Sequence, residues 1–148
     1  MPGRTLTVGP YYFIRWTRME VEDGPRVVKE VRKLRDEVGR PVVYVALQGP
    51  DYREPSAGTL RSLRETFLAV TELATNVHVV VLGDGVTTSL QRTALRSIVT
   101  LGRTLRVDHT DRIKVWTSVE EVLDLESDPA HAKADVLAAL DGAGLLKV

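Results

Sequence analysis

The sequence predicts an α/β protein: a mixed sheet of about five strands, with an N-terminal hairpin and helices mainly on one face. Three observations carry this. The stretches from Val42 to Leu47 and from His78 to Leu82 are almost continuously apolar, as strands covered on both faces are. Segments whose apolar residues recur at helical spacing alternate with them, which is the pattern of βαβ units with right-handed crossovers. The opening segments lie on either side of Gly9-Pro10, a turn signal between two short β-rich runs.

The elements follow in order. Thr5 to Val8 is a short strand, and Tyr11 to Glu20 alternates Tyr12, Ile14 and Trp16 with Arg15, Thr17 and Met19. From Gly24-Pro25, the positions Val27, Val28, Val31, Leu34 and Val38 form the stripe of an amphipathic helix that Gly39 ends. After the strand from Val42 to Leu47 and a loop, Leu60, Leu63, Phe67, Val70 and Leu73 keep helical spacing until Asn76 turns the chain into the next strand. Leu90, Ala94, Ile98 and Leu101 mark a further helix ending near Gly102, and Ile113 to Trp116 is the last strand. Ser118 and Glu121 have capping-box spacing, with Glu121 expected to reach back to the Ser118 amide. Helices are therefore expected to start near 25, 57, 87 and 118, with a terminal one from Pro129 to Asp141-Gly142 behind Ser127 and Asp128. One-sided crossovers leave the second sheet face bare. The terminal helix, with the tail Leu145, Leu146 and Val148, is expected to cover it within the chain or to dock on a second subunit as a homodimer.

At 148 residues and 16.4 kDa, the chain fits one folding unit, with 1–126 as the main domain and 127–148 as a helical extension. Hydrophobic residues make up 43% and charged residues 27%, which excludes a disordered chain. Twenty Lys+Arg balance twenty Asp+Glu, which removes the electrostatic case for nucleic acid as partner. Without cysteine there is no disulfide, thiolate nucleophile or Cys-based zinc site. The start MPGRTLTVGP lacks the apolar run of a secretory signal, and no stretch is long enough for a membrane span. A soluble, cytoplasmic protein is expected. The balance is not local: residues 1 to 40 carry nine basic groups against six acidic ones, and 118 to 148 carry seven acidic groups against Lys133 and Lys147. The ends are complementary in sign, read as differing solvated helix faces or as a partner surface of preferred polarity.

His78, His109 and His131 fall in a strand, a loop and the terminal helix without metal-ligand spacing, so neither a metal site nor a cofactor is expected. No GxSxG, HExxH, Walker or GxGxxG pattern occurs. Gly83-Asp84-Gly85 sits between a strand and a helix, where α/β folds place anions on backbone amides. Gly83 and Gly85, with Arg92 and Arg96 one turn apart, are candidate anion-site residues, set against a tight turn and a basic helix face. Ser56 precedes the helix through Leu60 and suits an N-cap for the amide of Gly58 or Thr59. A phosphoryl group there would add nearly two negative charges to a surface.

The stretch LQGPDYREPSAG resembles the segment of the STAS family in which a central strand leads through leucine-x-glycine to aspartate-serine-serine-glycine at a helix start. Leu47 and Gly49 fall on the leucine and glycine, Glu54 on the aspartate and Ser56 on the second serine, while Pro55 and Ala57 replace the first serine and the glycine. NVHVVVLGDGVTTSLQRTALRSIV and IKVWTSVEEVL are similar to the family's later strand-turn-helix and its final strand and helix, so the resemblance covers most of residues 5 to 125. It implies a right-handed βα superhelix and a non-catalytic interaction module like the anti-sigma factor antagonists, with an anti-sigma factor or a kinase as partner. It also implies Ser56 as phosphorylation site. The expected binding face is Asp51, Tyr52, Arg53, Glu54 and Ser56, with Tyr52 and Arg53 as anchors because aromatic and Arg side chains dominate hot spots. A related lipid-transfer-type group with an apolar pocket is the alternative, and a scaffold with neither switch nor ligand is a third.

Overall fold

A computed structural model describes residues 3–53, 57–83, 89–93 and 112–148. The fold is α/β, with a five-stranded mixed sheet whose spatial order equals chain order: β1 (Gly3–Val8), β2 (Tyr11–Trp16), β3 (Val42–Gln48), β4 (Ala74–Val81) and β5 (Ile113–Trp116). β1 and β2 form the expected antiparallel hairpin, and β2 to β5 are parallel. Around the sheet stand α1 (Asp23–Val38), α2 (Leu60–Leu73), α3 (Val119–Leu125) and α4 (Lys133–Gly142).

The side-chain period of two divides the core into two layers. Tyr12, Ile14, Trp16, Val42, Tyr44 and Ala46 face α1 and α2, meeting Val27, Val31, Leu34 and Val70. Tyr11, Phe13, Val43, Val45, Leu47 and Val80 face the other way, against Val119, Val122 and Leu123 of α3 and Val136, Leu140 and Leu145 from the chain end. All six residues of β2 are consequently buried, so its sequence alternation does not become a solvent face.

α1 and α2 share one face as expected, whereas α3 lies on the opposite one. Its short stripe of Val119, Val122 and Leu123 joins α4 there, and together they cover what the crossovers leave open. The helix expected near 87 is described only over 89–93, which is helical; the remainder lies outside the described residues.

Local chemistry explains the boundaries. Asp23 opens α1 by accepting the Glu20 amide at 2.6 Å, and Gly39 closes it at φ +69° by donating to the Arg35 carbonyl. α2 starts at Leu60 rather than near 57, because a 3₁₀ turn over Ala57–Thr59 precedes it and Thr59 takes the N-cap position. β4 starts at Ala74 rather than His78: Asn76 is a strand residue, its amide held by Glu126 at 3.3 Å. At α3, the Glu121 carboxylate reaches back to Ser118 as expected, accepting its hydroxyl at 3.1 Å, and one residue further to the Thr117 amide at 3.3 Å and hydroxyl at 2.7 Å. α4 starts at Lys133 rather than Pro129. The Asp128 carboxylate accepts the Ala130 amide, and its carbonyl accepts that of His131, which folds 128–131 into a turn.

Candidate functional site

Open parallel sheets place ligands outside the carboxyl ends of their strands. Here that edge carries the loop after β3 and the start of the segment after β4. Gln48 ends β3 and is followed by Gly49, which is buried, then by Pro50 and Asp51. The Tyr52 amide donates to the Gly49 carbonyl at 3.0 Å, a turn, and the Arg53 amide donates to the Thr17 carbonyl at 2.5 Å, which ties the loop to the chain leaving β2.

Beneath the loop lies Arg15, on the β2 face that looks toward α3 and α4 and only 6% exposed. A buried guanidinium is costly unless its donors are used. Arg15 donates to the Asp51 carboxylate at 3.0 Å, to the Leu145 carbonyl at 3.2 Å and to the Lys147 carbonyl. One side chain thus joins the last residues of the chain to the loop. Gly49 makes this possible, because a Cβ there would overlap the guanidinium and crowd the Asp51 carboxylate.

The expected binding residues therefore separate. Asp51 is half exposed and paired with Arg15, while Tyr52 is partly buried against the α1/α2 layer. Arg53 is exposed, its guanidinium on the carbonyls of Pro50 and Tyr52 at 3.2 and 3.0 Å. Glu54 and Ser56 lie outside the described residues, and with them the cap and the phosphorylation candidate. Of the anion-site candidates, Gly83 has φ +90° and Arg92 donates to the carbonyls of Val81 and Gly83 at 3.2 and 3.0 Å. Arg92 thus closes the carboxyl end of β4. Gly85 and Arg96 lie outside the described residues. Beside Arg92, Gln91 donates to the buried Gln48 side chain at 3.2 Å, which brings β3 and the helical segment 89–93 together.

The opposite edge carries a second polar cluster that sequence reasoning missed. The Asp128 side chain, 6% exposed, bonds His131 Nδ1 at 2.8 Å and Arg40 at 3.0 Å. A carboxylate only accepts, so the His131 proton sits on Nδ1. The ring lies so close to Gly9 that a Cβ there would overlap it. The signal was the spacing of Asp128 and His131, three residues apart, obscured by reading Asp128 as the cap of a helix that contains His131. The His131 bond, with help from Arg40 and the Ala130 amide, holds the Asp128 carboxyl below the usual range against the opposing effect of burial. Burial first, and then the charges of Asp128 and Glu126, push the Tyr11 phenol up. Tyr11, Ser127, Asp128, His131 and Lys133 border a cavity of about 350 Å³.

His78 is fully buried within β4, as a core histidine with a hydrogen-bond partner. Its Nδ1 accepts the Trp116 indole N–H at 2.9 Å, which leaves the ring proton on Nε2, 3.5 Å from the Glu126 carboxylate and long for a hydrogen bond. Glu126 also accepts from the Thr75 hydroxyl at 2.8 Å. The His78 contact, ahead of those from Thr75 and Asn76, holds the Glu126 carboxyl below its ordinary value.

Among the described residues no His, Asp and Glu side chains gather as a metal site, and no helix is long and apolar enough to cross a membrane. Comparison of the chain with family models, with curated proteins and with solved structures found no match.

Proposed function

We propose that this protein is a non-catalytic regulatory module, similar to the anti-sigma factor antagonists of the STAS family, that binds a protein partner through the loop from Pro50 to Ser56. The observation that supports it most is the support under that loop. Two backbone hydrogen bonds and the buried Arg15 fix Asp51, Tyr52 and Arg53 in place before any partner arrives. A preorganised loop forfeits less conformational entropy on association, so more of its contact energy appears as affinity. Tyr52 and Arg53 have the side-chain chemistry that anchors interfaces. In this reading Ser56 is the switch: phosphorylation places nearly two negative charges beside them and drives an acidic or apolar partner away. An anti-sigma factor or a kinase is the partner class, and the setting is cytoplasmic.

Capture of partners from a lysate of the source organism tests the proposal. Tyr52→Ala with Arg53→Ala is expected to lower recovery of specific partners about tenfold or more, as hot-spot truncation does. Unchanged recovery would overturn the loop as the binding face. A small apolar molecule co-purifying in place of any protein would favour the lipid-transfer-type alternative.

A further inference from the structure

The two helical layers differ in charge as well as in origin. On α1 and α2 the ion pairs Lys33–Glu37 and Arg61–Glu65 lie within single helices, and Arg26 pairs with Asp23. Lys29, Arg32 and Arg64 are exposed and carry no ion pair among the described residues. Lys29 and Arg64 lie in the amino-terminal halves of the two helices and Arg32 near the middle of α1, whereas the exposed Asp36 and Glu72 lie toward the carboxyl-terminal ends. Between the helices runs a groove of about 290 Å³ bordered by Pro25, Val28, Lys29, Arg32, Ser62 and Glu65. Gly24 and Thr66 are its buried residues, Pro25 and Val28 give its rim an apolar part, and its cations without an ion pair are Lys29 and Arg32.

The opposite layer presents the reverse. Glu120, Asp124, Asp135 and Asp141 are exposed on α3 and α4, where Lys133 pairs with Asp124 at 2.8 Å. Leu125 stands among them, 52% exposed, one turn from Glu121. An exposed leucine on an acidic helix complements a groove rimmed by Pro25, Val28 and two cations, and both belong to the same chain.

We infer that the α1/α2 groove is a docking surface for a second copy of this chain, which inserts Leu125 between the helices and sets Glu120 and Asp124 against Lys29 and Arg32. Because the two surfaces lie on opposite faces of one sheet, the contact is heterologous and propagates head to tail instead of closing as a two-fold dimer. The described part of the loop after β3, Pro50 to Arg53, is at the sheet edge, so this contact leaves it available.

Sedimentation velocity across a range of protein concentrations and salt tests this. The wild type is expected to form species beyond the dimer, with apparent affinity falling about tenfold or more between roughly 50 and 500 mM NaCl as screening removes the charge pairs. Lys29→Glu with Arg32→Glu, and separately Glu120→Lys with Asp124→Lys, should each yield monomers that melt as the wild type does. Mixing the two variants should restore association, since each keeps one intact surface. Leu125→Ser, which alters no charge, should weaken assembly as well. A wild type monomeric at every concentration at low salt, or a closed dimer indifferent to these substitutions, would overturn the inference. So would charge variants whose sole defect is loss of binding to phosphatidylserine vesicles, which would make the basic groove a membrane contact.

Discussion

The two helical layers solve the same problem, covering a sheet face, by different means. α1 and α2 are crossover helices, placed by the strands they connect, and they pack side by side on one face of the sheet. α3 and α4 come after the last strand and must find the remaining face from the end of the chain. Their attachment depends on contacts of long sequence separation: Tyr11 donates to the Glu126 carbonyl at 2.5 Å, Arg40 holds Asp128, and Arg15 holds the carbonyls of Leu145 and Lys147. The first layer is a consequence of topology, and the second is fastened by particular side chains. That difference predicts which changes spread through the molecule and which stay local.

The largest effect is expected from deleting residues 127–148. This uncovers Phe13, Val45 and Leu47, which pack against Val136, Leu140 and Leu145. The product should aggregate or lose its cooperative melting transition; a monomer with an unaltered transition would break the contrast between the layers. Single truncations are smaller. Leu140→Ala in the second layer and Leu34→Ala in the first should each cost about 2–5 kcal/mol in chemical denaturation. Only the former should also loosen the Pro50 to Arg53 loop, through the tail and Arg15.

Acid sharpens the comparison further. A carboxylate held below its unfolded value contributes stability above the ordinary carboxylate range and loses it as pH falls through the folded value. His131 and Arg40 hold Asp128 in this way. Asp128→Asn should therefore cost about 1–3 kcal/mol at neutral pH, as loss of a buried charged hydrogen-bond acceptor does. The gap from wild type should narrow below the carboxylate range. A gap of constant size across pH would contradict this role for the carboxylate.

The first layer was legible in the sequence and much of the second was not. Val27, Val31 and Leu34 state a helical period, the runs in β3 and β4 state buried strands, and Gly39 states a helix end, because each depends on neighbours within a few residues. The face chosen by α3 depends on where α4 goes, and nothing within Val119 to Leu125 encodes that. The start of α4 was misplaced because Pro129 suits a first helical turn equally well as a turn closed by Asp128. Arg15 was visible as a charge in an otherwise apolar strand, yet its partners Asp51, Leu145 and Lys147 are 36 residues or more away. Gly49 was read through a family pattern, whereas its physical reason is room for that guanidinium. Local sequence thus singles out the loop after β3, and it does not show the support beneath it.

That support is what matters most: the chain's end, through Arg15, holds the loop after β3 in one conformation. Amide hydrogen exchange on the free protein tests it directly. The Tyr52 and Arg53 amides, bonded to the carbonyls of Gly49 and Thr17, should be protected in the wild type. In Arg15→Met their exchange should accelerate about tenfold or more, equivalent to about 1.4 kcal/mol of lost local stability, while the amides of α1 change far less. Unprotected Tyr52 and Arg53 amides in the wild type, or equal protection in the variant, would contradict the account.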